Sequence, residues 1–395
     1  MIGHVLKMLW QGRRKYAGVL MEQMLIFIIL MVSMAALFEA INKYREPGLL
    51  NTDNAMIFGY MLHGGGNGSL DDMRELGRGI DIIIEKLRKE SFVEAITKSN
   101  GLAPYLRSDV YYDEMFADTV KVDGKSVGVI VKFADKEAER VFHPELEEGG
   151  WITDNVLEDC SRPAVVSRQL MDKLGWTEAM GKRLYMRGHT LIVVGISPGV
   201  KQNVFSDMPT TIIIPRGEEQ LSAYEECCAK IKPGYEDEFH ACFSKEYKRL
   251  GLAEKAVSFC YEMSGLKRGS MFEVVSGVAM RAIPTAFLLL FAFIGTFGLF
   301  WLNSKKRKVE FALRLVVGAT KPRLINLVVM ESLILSVLAA LPGMVLFGFV
   351  YDWKGVNVAA IGMTLIVMIL FAVFSAWWPA YKVAQVNPVE AMREV

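Results

Sequence analysis

Residues 278–302 read VAMRAIPTAFLLLFAFIGTFGLFWL and run straight into NSKKRK at 303–308. About 20 consecutive apolar residues cross a bilayer core, and this run reaches that length with Arg281 as its single charge. Four cations follow at once: Lys305, Lys306, Arg307 and Lys308. Short loops rich in Lys and Arg stay on the cytoplasmic side of a membrane, so one stretch predicts both a span and its direction.

Three more runs have the same character: residues 17–41, 324–350 and 356–378. The first carries Glu22 and Glu39 near its ends. Its length exceeds the 7–15 residue apolar region of a signal peptide, which favours an uncleaved anchor. Pro284 and Pro342 fall inside the second and third runs and are expected to kink them locally. Before the first run lie Lys7, Arg13, Arg14 and Lys15; the loop between the second and third adds Arg314, Lys321 and Arg323 against the single acid Glu310. Both ends and this loop are therefore expected in the cytoplasm, with residues 42–277 outside it.

The composition agrees with a chain shared between lipid and water. Apolar residues make up 52% and charged residues 23%, and mean hydropathy is +0.26. A net charge of +1 gives no basic face for nucleic acid. The five cysteines, Cys160, Cys227, Cys228, Cys242 and Cys260, form no CxxC pair. A Cys242–Cys260 or Cys227–Cys260 bridge stands as an alternative to buried free thiols, which the pattern favours.

The outer region mixes helix and strand signals. Residues 42–69 read as loop, ending in HGGGNGS. Residues 71–99 have helical character, with Leu76, Ile80, Ile83, Ile84 and Leu87 at helical spacing. Strands are expected at 110–115, 119–122 and 126–133, the last two joined at Asp123-Gly124, a hairpin signal. A strand at 164–167, a short helix at 168–176, a hairpin around Arg187-Gly188 and a strand at 211–214 follow. A strand–helix–strand unit spans 227–231, 235–249 and 256–262. The fold class expected is membrane α-helical, with four transmembrane helices plus an α+β extracytoplasmic domain of two lobes: residues 70–120 with 218–265, and residues 121–217.

Two cytoplasmic stretches are amphipathic. In KVEFALRLVVGATKPRL at 308–324, Val309, Leu313, Val316, Val317, Thr320 and Leu324 share a stripe, with Glu310, Arg314 and Lys321 off it and a break at Gly318. At the N-terminus Ile2, Val5, Leu6 and Leu9 share a face. The division expected is an amphipathic helix at 1–16, spans at 17–41, 278–302, 324–350 and 356–378, the outer domain at 42–277, a cytoplasmic segment at 303–323 and a tail at 379–395.

Enzyme chemistry has no constellation to stand on. No phosphate-binding GxxxxGK[ST] occurs; the string from Gly175 to Lys182 has the wrong gap and lacks the hydroxyl that would hold Mg²⁺. GxSxG and HExxH are missing. Ser264-Gly-Leu-Lys267 matches SxxK at the level of chance. His4, His63, His143, His189 and His240 are scattered, so no metal site is expected. The intramembrane acids Glu22 and Glu331 lie near the cytoplasmic face, within reach of water or a nearby Arg or Lys, rather than at the midplane where a proton relay needs them.

The order of one span, a large outer domain and three spans resembles the MacB/FtsX-like ABC transporter permeases. Residues 305–335, KKRKVEFALRLVVGATKPRLINLVVMESLIL, are similar to the family's segment after the second span, with Arg314, the Gly318-Ala319-Thr320 step and Glu331 filling its places. The ending PAYKVAQVNPVEAMREV resembles the family's C-terminal motif at Pro379, Ala384, Asn387, Pro388, Glu390, Ala391 and Arg393. Residues 149–196 resemble the outer-domain core.

The resemblance implies a non-enzymatic permease subunit that binds no cofactor itself. ATP and Mg would be bound by a partner ATP-binding subunit, expected as a separate chain because residues 1–16 leave no room for an ATPase before the first span. ATPase coupling would fall to Val309, Glu310, Leu313, Arg314, Val316, Val317, Gly318, Ala319, Thr320 and Lys321. The partners implied are a second permease (an identical copy or a related paralogue), membrane lipids, and in exporters a periplasmic adaptor with an outer-membrane channel; nucleic acid is not among them. The location implied is the bacterial inner membrane. Two functions fit: export or extrusion of a substrate, and an FtsX-like ATP-driven regulator of a cell-wall hydrolase.

Overall fold

The computed structural model describes residues 13–62, 70–106, 116–153, 161–217, 225–351 and 355–385. The N-terminal stripe Ile2–Leu9, the turn at 63–69, the strand expected at 110–115, Cys160 and the C-terminal motif residues Asn387, Pro388, Glu390, Ala391 and Arg393 lie outside these residues.

The elements, in chain order, are α1 (Arg13–Arg45), β1 (Ala55–Leu62), α2 (Leu70–Leu87), β2 (Val93–Asn100), β3 (Ala117–Val122), β4 (Lys125–Ala134), α3 (Ala138–Phe142), β5 (Glu148–Gly149), β6 (Arg162–Ser167), α4 (Arg168–Leu174), β7 (Arg183–Met186), β8 (His189–Ser197), β9 (Thr211–Pro215), β10 (Glu226–Ile231), α5 (Glu236–Arg249), β11 (Ala256–Glu262), α6 (Met263–Lys306), α7 (Lys308–Val316), α8 (Lys321–Val350) and α9 (Gly355–Ala384). They fall into two compact units: residues 1–42 with 275–395, and residues 43–274.

In the outer unit, β11-β1-β10-β2 form an antiparallel sheet. The chain order β1-α2-β2 then β10-α5-β11 is the split βαβ arrangement, with the remaining strands inserted between β2 and β10. Leu76, Ile80, Ile83, Ile84 and Leu87 of α2 and Phe239, Phe243 and Tyr247 of α5 are buried together with Phe58 of β1. Phe58 meets Phe239 and Phe243 edge-on at 5.4 and 5.2 Å. The inserted strands run β4-β3-β7-β8-β6-β9, and β9 pairs back to β4, so six strands close on themselves around Val120, Val131, Leu184, Val193 and Ile212. The two hairpin turns have φ > 0 at both central residues: Asp123 and Gly124, and Arg187 and Gly188. That is the primed geometry that two-residue hairpins need.

A buried polar network joins the lobes where β2 meets β4 at Ser99↔Ala134 and Asn100↔Phe133. Glu226 accepts hydrogen bonds from Ser99 Oγ (2.9 Å) and from the amides of Gly101 (3.0 Å), Leu102 (3.0 Å) and Ala103 (2.9 Å). The buried ammonium of Lys132 donates to Gly101 O at 2.6 Å. The last turn of α1 belongs to this unit: Lys201 donates to Lys43 O, and Lys43 pairs with Asp207 at 3.0 Å.

Among the described residues four helices are long and apolar enough to cross a membrane: Tyr16–Arg45, Met263–Lys306, Lys321–Phe349 and Gly355–Ala384. Small residues and polar pairs hold them, as lipid provides no hydrophobic drive between helices. Ser33 and Thr285 join α1 to α6 at 2.8 Å, Ser336 and Gln23 join α8 to α1 at 3.1 Å, and Ser332 donates to Ala372 O of α9 at 3.0 Å.

Several expectations need correction. Residues 42–69 are not all loop: AMIFGYML at 55–62 is a central strand whose first five residues are all buried, so that Ala55–Gly59 lacks the alternation that marks a half-exposed strand. The helical stretch at 71–99 ends at Leu87, and its last third is β2, whose Thr97, Lys98, Ser99 and Asn100 look unlike a strand because they serve the polar network. The helix that contains the second run starts earlier, at Met263; its 44 residues run to about 66 Å at 1.5 Å each, about twice the hydrocarbon thickness, so the span expected at 278–302 is one part of a longer helix. The fourth passes through Pro379 to Ala384, inside the stretch expected as tail. For Cys227, Cys228, Cys242 and Cys260 the favoured reading of free thiols stands, and the alternative bridges fall. Cys227 and Cys260 pair with opposite sides of Phe58, two strand spacings or about 9.6 Å apart, beyond disulfide reach.

Candidate coupling site at the basic end of the membrane unit

The loop after α6 folds because each of its residues has a task in stopping or starting a helix. α7 ends in a Schellman motif: Ala319 N donates to Arg314 O (2.8 Å) and Gly318 N to Leu315 O (3.1 Å). The motif puts Gly318 at φ +98°, a conformation costly for any residue with a Cβ. Thr320 is extended and holds the N-cap position of α8 without a side-chain capping hydrogen bond, with Lys321 and Pro322 in the first turn. Gly-Ala-Thr is thus a stop, a closure and a restart.

α7 has two apolar faces. Phe311 and Leu315 pack in one cluster with Phe300, Leu324, Leu327 and Val328, and with Ala376 and Ala380 of α9; Ala312 is buried as well. Val309, Leu313, Val316 and Val317 are left 41, 57, 61 and 82% exposed. The stripe expected over 309–324 therefore stops at Gly318: Thr320 is exposed in the joint, and Leu324 turns into the core of α8. The packing face was not part of the sequence reading. Its signal was Phe311, the one aromatic residue of α7.

Between the faces runs an ionic chain. Arg314 pairs with Glu310 at 2.6 Å, an i,i+4 pair with the acid first. Glu310 accepts from Arg307 Nε at 2.9 Å, and Arg307 Nη1 reaches Glu331 of α8 at 3.0 Å. Tyr16 of α1 donates its hydroxyl to the other oxygen of Glu331. Glu331 is only 2% exposed, and each of its two carboxylate oxygens has a partner, as a buried polar group requires. The Arg307 guanidinium also lies 5.2 Å from the Phe311 ring centre. Arg307 and Tyr16 are members of this network that sequence spacing did not single out. The clue was an acid inside an apolar span with a run of cations just before α7.

Of the residues expected in coupling, Val309, Leu313, Val316 and Val317 form one exposed apolar patch, Glu310 and Arg314 form its braced edge, and Gly318, Ala319, Thr320 and Lys321 form the joint to α8. Among the described residues no group of His, Cys, Asp and Glu is arranged to hold a metal ion.

Two family models match the chain: the MacB-like periplasmic core domain over residues 24–237, and the FtsX-like permease C-terminal domain over residues 283–388. No curated protein matches. Among solved structures, the extracellular domain of the noncanonic ABC-type transporter YknZ from Gram-positive bacteria is 14% identical, covering 53% of this chain and 100% of that one at a TM-score of 0.36. The periplasmic region of MacB from Actinobacillus actinomycetemcomitans is 15% identical, covering 56% of this chain and 94% of that one at a TM-score of 0.37. With the core-domain model alone matching more than half of its residues, this chain belongs to the MacB/FtsX-like permease family.

Proposed function

We propose that this chain is the permease subunit of an ABC transporter that exports or extrudes a substrate, driven by ATP hydrolysis on a separate ATP-binding subunit that holds the nucleotide and Mg²⁺. The observation that carries the reading is the Val309, Leu313, Val316 and Val317 patch on α7, left uncovered by the helices yet braced through Arg307 and Glu331 to α8 and α1. A partner that pushes on this patch moves a rigid element, because the Arg307–Glu331–Tyr16 chain fixes α7 to two spanning helices. Ser33 with Thr285, Ser336 with Gln23, and Ser332 with Ala372 O pair helix with helix, while Thr296, Thr364 and Ser375 bond back to their own helices, which suits work done on a substrate outside the bilayer. The permease works beside a second copy or a relative, with both termini and α7 in the cytoplasm of a bacterial inner membrane. Residues 42–277 face out.

A mild-detergent pull-down of the tagged full chain, read by mass spectrometry, tests the transport role. An ATP-binding subunit with a periplasmic adaptor is the expected outcome. An ATP-binding subunit with a peptidoglycan hydrolase would replace export by hydrolase regulation. Orientation is tested alongside, in a Cys160→Ser background. A membrane-impermeant maleimide applied to spheroplasts should label Lys125→Cys at the exposed hairpin and spare Lys306→Cys; the reverse pattern contradicts the assignment.

A further inference from the structure

α6 and α9 do not close against each other along their full length. Between them lies a groove of about 800 Å³ on the flank of the membrane unit, lined by Leu290, Phe293, Phe297, Phe371, Phe374 and Trp378 among others. Phe293 and Phe371 meet edge-on at 5.9 Å and form its floor. The volume falls in the range of small-molecule sites, about 300–1,000 Å³.

The walls of the groove are graded toward one end. On α6, Phe293 stacks on Phe297 (6.0 Å) and Phe297 on Trp301 (6.2 Å), and Lys305 Nζ lies 5.3 Å from the Trp301 ring centre. On α9, Trp377 lies against Trp378 and Tyr381, and Lys382 Nζ is 5.6 Å from the Trp378 ring centre. α6 and α9 both finish at the end of the bundle where α8 begins, so the two lysines mark the same end. An aromatic belt alone would put single rings at the headgroup level. Here two aromatic runs flank one apolar slot, each ending on an ammonium group.

We infer that the groove is a binding site for an anionic phospholipid of the membrane, with an acyl chain lying along the Phe293–Phe297 wall and the phosphate held by Lys305 and Lys382. The charge at the mouth selects the occupant. A zwitterionic lipid would fill the slot equally well but gain little from two cations, whereas each cation near the surface favours an anionic headgroup by about fivefold, about 25-fold for the pair.

Native mass spectrometry of the full chain tests this, after extraction in mild detergent with equimolar dioleoyl phosphatidylglycerol and dioleoyl phosphatidylcholine. The expected result is retained phosphatidylglycerol in about 25-fold preference. Lys305→Gln with Lys382→Gln should bring the two lipids near parity, and Lys305→Arg with Lys382→Arg should keep the preference. Ala286→Trp, which fills the groove, should lower retention of both lipids. Equal retention of both lipids by the wild type, or a preference that survives the glutamine pair, overturns the site. So does a lipid-free dimer, which would make the groove a contact between copies.

Discussion

Glu331 sits in an apolar helix with both carboxylate oxygens committed, one to Tyr16 and one to Arg307. Removing one member of a buried ion pair leaves the other uncompensated, at about 3–5 kcal/mol in full burial. Arg307 keeps Glu310 and is partly exposed, so Glu331→Ala is expected at the lower end, about 3 kcal/mol. Tyr16→Phe removes one hydrogen bond and should cost about 1 kcal/mol. Thermal unfolding of the detergent-solubilised chain should rank Glu331→Ala well below Tyr16→Phe; equal losses would mean that the carboxylate is not the joint of the network. The sequence exposed Glu331 as an oddity, an acid where lipid was expected. Tyr16 was hidden, because a tyrosine at a span boundary is ordinary and its partner lies 315 residues away.

The strands β10 and β11 carry three thiols: Cys227 and Cys260 lie in the core under α2 and α5, and Cys228 faces the core on the other side of the sheet. Burial pushes Cys260 up to about 12 and also raises Cys227 and Cys228. In the unfolded chain these thiols titrate near 8.5. Below that pH both states hold their protons and nothing changes. Above it the unfolded chain releases protons that the folded sheet retains, so stability falls as pH rises, by about 1.4 kcal/mol per pH unit for each thiol. Lys201 opposes this, since burial lowers its pKa and the folded form gains as pH climbs toward the ordinary lysine value. One lysine does not offset three thiols. The thermal midpoint of the outer unit should drop between pH 8 and 10, and Cys227→Ala with Cys228→Ala should flatten the drop. A midpoint independent of pH over that range would contradict the burial of these groups.

At the same scale, legibility followed the physics of each element. The α2 and α5 helices, the Asp-Gly and Arg-Gly hairpins and the Gly318 stop could be read because one face or one backbone angle dictates the residue. β1 could not, because its first five residues are buried without alternation, and β2 could not, because its polar end is committed to Glu226, Glu225 and Asp135. The first 15 residues of α6, MSGLKRGSMFEVVSG, carry charge and glycine, and only a tertiary setting makes them helix.

At the scale of the whole chain, four apolar runs and the cation bias disclosed the membrane unit, and the interrupted split βαβ order explains why the outer unit reads as two lobes from discontinuous pieces. What stayed hidden was the second face of α7, since periodicity reports an apolar stripe without saying which side the bundle covers. The uncovered face of α7 is the one a partner would meet, and the measurement that tests this most directly is quantitative co-purification of the ATP-binding subunit with the tagged chain, wild type against Val316→Asp with Val317→Asp. Both positions are exposed, so the variant should elute and melt like the wild type while losing at least about tenfold of its bound ATPase, as expected when charges enter an apolar interface. An ATPase retained at wild-type levels, or absent from the wild type itself, would contradict α7 as the coupling element.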